Sequence, residues 1–131
     1  MARTLLEKLG YRPERVGLIL NLPPSLAAEF APVRVGAEPG WLLGFCARAA
    51  DVKPVADALL TRYRPGLHLW FAYPKLSGSL ASDLTRDRGW VNLGELDYLP
   101  VTQIAIDSDW SALRFRARAE IATITRRFET R

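Results

Sequence analysis

The chain has 131 residues, of which 49% are apolar and 24% charged, with one cysteine, one histidine and a formal net charge of +4. That length suits a single domain able to bury about two thirds of its unfolded surface. No run of 18 apolar residues is present to span a membrane, and the N-terminus lacks the ordered regions of a secretory signal, so a soluble cytoplasmic protein is expected. A lone cysteine excludes an internal disulfide, and one His beside one Cys argues against a zinc site.

In chain order, Leu5, Leu6 and Leu9 followed by Gly10 predict a short first helix. Arg15 to Leu20 (RVGLIL) reads as a strand covered on both faces, as in a parallel sheet. After Pro23 and Pro24, Ser25 is placed to cap a helix through Phe30, and Val33 to Val35 can form a short strand. Trp41 to Ala47 (WLLGFCA) predicts a second buried strand, within which Cys46 serves as a small hydrophobe. Asp51 then reads as an N-cap, with Val52, Val55, Ala56, Leu59, Leu60 and Tyr63 on one helical face. Arg64, Pro65 and Gly66 stop that helix before a third strand, Leu67 to Tyr73. A polar loop and a helix over roughly Ser82 to Leu96 follow. VTQIAID and WSALRFRA, separated by Asp107, Ser108 and Asp109, are spaced too closely for a crossover and predict an antiparallel hairpin.

Strands separated by helices call for right-handed crossovers. The expected fold is therefore one three-layer, Rossmann-like α/β domain, a doubly wound and mostly parallel sheet ending in an antiparallel hairpin. That layout resembles the class I methyltransferase-type Rossmann fold, as does the passage Leu59, Leu60, Arg64, Pro65, Gly66, Leu67, His68, Leu69, Trp70. More closely, Leu6 to Arg15, YPK at 73–75, DLTRDRGW at 83–90 and IDSDWSALRFR at 106–116 resemble a bacterial family of small uncharacterised domains with no established activity. This likeness covers residues 5 to 117. The methyltransferase resemblance implies an S-adenosylmethionine site after the first strand. There the chain departs from the pattern: the turn Asn21, Leu22, Pro23, Pro24, Ser25 has no glycine and two prolines without N–H donors. Only Glu38 stands where a ribose-binding acid is expected.

Open α/β sheets bind ligands beyond the C-terminal ends of their strands. Asn21, Arg48 and the loop YPKLSGSLASDLTRDRGW at 73–90 all fall at such ends. Lys75 offers a point charge for an anion, and Ser77, Gly78 and Ser79 offer hydroxyl and backbone donors at a helix start. Asn21, Lys75, Ser77, Ser79 and Asp83 are the candidate ligand-binding residues. The plainer reading is that Ser79, Ser82 or Asp83 caps the helix and that Asp83, Arg86 and Asp87 form solvated pairs. Asp107 and Asp109 read as an Asx-type hairpin turn rather than a metal or acid–base pair. His68 reads as a core or edge histidine, and Trp41, Trp70 and Trp90 as packing residues.

The charge is unevenly spread. Residues 1–113 carry 12 basic and 12 acidic groups, whereas residues 114–131 carry six arginines against Glu120 and Glu129. Strand alternation puts Arg114, Arg116 and Arg118 on one face, where they could contact nucleic-acid phosphates. Arg126, Arg127 and Arg131 fall on a short helix whose apolar side, Ile121, Ile124 and Phe128, could seal a homodimer. The expectation is a non-catalytic, methyltransferase-like domain that binds a small anionic ligand or a protein partner, with no catalytic residue, metal or cofactor assigned. A divergent methyltransferase and a nucleic-acid-binding module are the alternatives.

Overall fold

The structure, a computed structural model, describes residues 3–121. The element order is α1 (Leu5–Lys8), β1 (Gly17–Leu20), a 3-10 turn (Pro24–Leu26) leading into α2 (Ala27–Phe30), β2 (Trp41–Phe45), and a second 3-10 turn (Ala49–Asp51) leading into α3 (Val52–Leu60). Then come β3 (His68–Pro74), α4 (Val91–Glu95), β4 (Tyr98–Ala105) and β5 (Trp110–Ala117). The five strands form one open sheet in the order β1-β2-β3-β5-β4. β1, β2 and β3 run parallel, while β5 runs antiparallel to both β3 and β4. Two of the four strand pairings are thus parallel: the sheet is parallel through β1, β2 and β3, as expected, and antiparallel where the hairpin joins it.

Elements cover the sheet on both faces. On one, α1 and α2 close over Trp41, Leu43, Phe45, Trp70 and Ala72; on the other, α3 and α4 close over Leu42, Leu69, Phe71, Leu113 and Phe115. Residues of β2 and β3 alternate between these two cores, so both strands are buried on both sides. β1 is less covered than its sequence suggests: it starts at Gly17, and Leu18, Ile19 and Leu20 are only half-buried. The physical reason is its place near the sheet edge.

The winding follows from Gly17, which is bridged in parallel by Val35 on one side and by Trp41 of β2 on the other. The connection after β1 therefore moves away from β2 over the α2 face, and the connection from β2 to β3 moves the opposite way over the α3 face. Opposite directions on opposite faces give the two crossovers the same hand, as the twist of the sheet requires. The chain passes from Val35 to Trp41 beneath the start of β1, where the Gly40 N–H donates to the Val16 carbonyl at 2.9 Å.

Close contacts fix several positions. A Cβ on Gly44 would lie 2.3 Å from Val55 Cγ1, so its absence lets α3 sit directly on β2. α1 has a capping box between Thr4 and Glu7, and the buried carbonyl of its C-cap, Leu9, accepts from both indoles, Trp41 Nε1 at 2.8 Å and Trp70 Nε1 at 2.7 Å.

Three local expectations are corrected. Ser25 caps nothing, because Pro24 already starts a 3-10 turn there with no side-chain cap. Asp51 does not cap α3; it reaches back to accept from the N–H groups of Ala47 and Arg48 at 3.0 and 3.1 Å. The helix expected over 82–96 shrinks to Val91–Glu95, since Ser82 and Asp83 bond to the β2–α3 connection and Gly89 takes φ +104°.

Candidate functional site

β3 ends by delivering Tyr73 and Pro74 beside β5, where Tyr73 pairs with Ser111 and Pro74 with Trp110. Beyond it, the loop 75–90 is tied down at both sides. The Lys75 N–H donates to the Asp109 carbonyl at 2.7 Å, and the backbone N–H and hydroxyl of Ser79 both donate to Asp109 Oδ1 at 2.7 and 2.8 Å. Asp109 itself sits in an Asx turn: Asp107 Oδ1 accepts from the N–H groups of Asp109 and Trp110, each at 2.8 Å. On the other side, Ser82 Oγ donates to the Ala47 carbonyl at 2.6 Å and Asp83 Oδ1 accepts from the Ala49 N–H at 2.8 Å.

Next, Thr85 to Arg88 form a tight turn closed by reciprocal backbone bonds of 3.1 and 3.3 Å. Trp90 holds this turn in place. Its indole N–H donates to the Thr85 carbonyl at 2.8 Å while its ring packs against Phe71, Tyr73 and Phe115.

The result is an open cleft of about 530 Å³ lined by Tyr73, Lys75, Leu76, Ser77, Thr85, Arg86, Asp87, Gln103 and Ser111. A smaller hollow of about 180 Å³ continues it past Arg86 and Gln103 along β4, and another of about 360 Å³ lies on the far side of Lys75. Gln103 Nε2 donates to the Tyr73 hydroxyl at 2.8 Å, and burial raises the Tyr73 pKa, so the phenol stays protonated and can donate into the cleft. Arg86 lies 3.5 Å from Asp87, with both side chains largely exposed, a pairing that leaves the guanidinium available. Lys75 makes no side-chain ion pair among the described residues. The cleft can therefore offer two cations and several hydroxyl and amide groups to one anion.

Of the candidates read from sequence, Lys75 and Ser77 line this cleft; Ser79 and Asp83 instead strap its loop to the rest of the fold. Asn21 lies elsewhere, between the ends of β1 and β2, where the chain leaves for opposite faces. It adopts φ 58° and its Nδ2 donates to the Phe45 carbonyl at 3.3 Å, spanning that crevice. Tyr73, Thr85, Arg86, Gln103 and Ser111 were not among the sequence candidates. Alternation alone puts Tyr73 and Ser111 on a known face of their strands, but only the β3–β5 pairing makes them neighbours.

The arginines do not form one stripe. Arg114 and Arg116 share a face of β5 opposite Leu113 and Phe115, as alternation requires, but the strand ends at Ala117. Arg118 lies beyond it, at the start of the helical stretch 118–121, where its Nε donates to Asp97 Oδ1 at 2.9 Å. Arg116 is 3.8 Å from Glu120. Arg126, Arg127, Arg131, Ile124 and Phe128 lie outside the described residues.

His68 is half-buried at the start of β3, its ring stacked 6.5 Å from that of Trp70 and pressed against Gly10. Burial first, then the charges of Arg114, Arg15, Arg12 and Arg116, lower its pKa to about 4. Cys46 is buried, and its thiol is pushed up to about 12 by burial and by the Asp51 carboxylate, so it is no nucleophile at neutral pH. Among the described residues no group of three or more His, Cys, Asp or Glu is placed to hold a metal ion, and no helix is long and apolar enough to cross a membrane. Comparison with protein-family models, with curated proteins and with solved structures returned no match.

Proposed function

We propose that this chain is a methyltransferase-like α/β domain of the small bacterial type its motifs resemble, and that it binds a small oxyanion in the cleft beyond β3 without transforming it. The observation that carries this reading is the meeting of Lys75 and Arg86 with Ser77, Thr85, Gln103 and a protonated Tyr73 around one 530 Å³ opening. Lys75 and Arg86 supply charge, and the neutral groups supply directed donors. Among the described residues no hydroxyl lining the cleft is hydrogen-bonded to a side-chain base, which favours binding over catalysis. The sheet, parallel strands followed by an antiparallel hairpin, supports the methyltransferase-like reading of the fold. The bonded crevice at Asn21 and the proline turn after it argue against a methyl donor at β1.

The test is titration of the 15N-labelled protein with inorganic phosphate and, separately, with S-adenosylmethionine. Phosphate should shift the amides of Lys75, Ser77 and Thr85, and Lys75→Ala should abolish those shifts with little change in Tm. The reading fails if these amides do not respond, or if Lys75→Ala unfolds the protein. A rise in Tm of roughly 5–10 °C with S-adenosylmethionine, the effect of about 2.7 kcal/mol at 100 times Kd, would overturn it in favour of the enzyme.

A further inference from the structure

Four buried side-chain polar atoms have no hydrogen-bond partner among the described residues: His68 Nδ1, Asn92 Oδ1, Arg114 Nε and Arg116 Nε. Three of these belong together. Arg114 pairs with Trp70 across the β3–β5 ladder, so His68, two residues before Trp70, and Arg116, two residues after Arg114, meet one step further along on the same face. Arg12 and Arg15, on the segment entering β1, add their charges at His68. Glu120 is the carboxylate in contact with this cluster, and its oxygens already accept from the Tyr63 hydroxyl, the Gly66 N–H and the Ala117 N–H.

Buried donors without acceptors cost about 1–3 kcal/mol each, and native proteins almost always satisfy them with protein, water or an ion. Four arginines whose charges act on one half-buried histidine add mutual repulsion that Glu120, the one carboxylate paired with the cluster among the described residues and already occupied, does not cancel. A tetrahedral oxyanion would correct both defects, because it brings several acceptor oxygens and negative charge to the same point. We propose that the start of β3 carries a second oxyanion site, built by Arg114, Arg116 and His68 and supported by Arg12 and Arg15, at the opposite end of β3 from the Lys75 cleft. Its ligand is of the sulfate or phosphate class, either free or as the terminal group of a small molecule.

His68 is the reporter. Its ring signals are followed by NMR from pH 3 to 8 in sodium sulfate and in sodium chloride at matched ionic strength, sulfate being a dianion throughout. Bound sulfate should raise the His68 pKa from about 4 by roughly one unit or more. Arg116→Lys, which keeps the charge but removes the buried Nε–H, and Arg114→Gln should each weaken that response at least about tenfold. Lys75→Ala should leave it intact, which separates this site from the cleft at the other end of β3. The proposal is overturned if sulfate leaves the His68 titration where chloride does, or if folded Arg116→Lys responds like the wild type. It is also overturned if a short polynucleotide shifts His68 but sulfate does not, since the arginines would then serve an extended polyanion.

Discussion

Asp109 accepts two hydrogen bonds from Ser79 on a single oxygen, one from its backbone N–H and one from its hydroxyl. The contact spans 30 residues and joins the β4–β5 turn to the loop that forms one wall of the Lys75 cleft. It lowers the Asp109 pKa, first through the Ser79 N–H, then through the hydroxyl. A carboxyl whose folded pKa is depressed stabilises the fold above its unfolded pKa, and that stabilisation disappears as pH falls through the folded value. Asp109→Ala should therefore speed hydrogen exchange at the Ser79 amide and weaken phosphate binding at Lys75, while exchange at Leu69 in the core stays unchanged. Acidification below about pH 4 should reproduce the effect in the wild type.

Glu120 ties the end of β5 to the end of α3. Its side chain is 8% exposed and accepts from Tyr63 Oη, the Gly66 N–H at 2.8 Å and the Ala117 N–H at 3.0 Å. Burial alone would raise its pKa, but these three bonds and Arg116 outweigh it and the net shift is downward. Glu120→Ala leaves three donors without their charged acceptor and should cost about 2 kcal/mol or more, lowering Tm by roughly 5–10 °C. The wild-type contribution is present above about pH 4.5 and is lost on further acidification, so the difference in Tm between the two proteins should narrow at pH 3.

Gly10 and Gly66 both adopt positive φ, at +79° and +92°, yet their surroundings differ. A Cβ at Gly10 would lie 2.4 Å from His68 Nε2, whereas one at Gly66 meets nothing within 4 Å. Gly66→Ala should cost only the left-handed backbone preference, about 1–2 kcal/mol. Gly10→Ala adds displacement of the His68 ring from Trp70 and should cost at least about 1 kcal/mol more, with a changed His68 chemical shift. Equal losses in urea denaturation would mean that His68 moves aside freely.

Much of this architecture was legible from residue order because it depends on short-range periodicity. The apolar runs at 41–47 and 67–73 became β2 and β3, the helical spacing from Val52 to Tyr63 became α3, and the close spacing of the last two strands forced a hairpin. Asp107 also behaved as its local turn chemistry demands. The helix expected over 82–96 did not form at that length, because Ser82 and Asp83 use their oxygens on Ala47 and Ala49, more than 30 residues away in sequence.

The sites depended on pairing across such distances. Lys75 and Ser77 could be picked out as polar residues after an apolar strand, but Gln103 meets Tyr73 only because the hairpin enters the sheet with β5, not β4, beside β3. The same insertion sets Arg114 opposite Trp70 and draws His68 into a cluster of arginines, where sequence alone made it an ordinary strand residue. Local backbone preferences and hydrophobic periods act within a few residues, so the sequence by itself determined most of the elements and the α/β class of the fold, but not the helix over 82–96. Strand order and register are decided by which apolar faces bury each other, and only those choices brought the charged groups together.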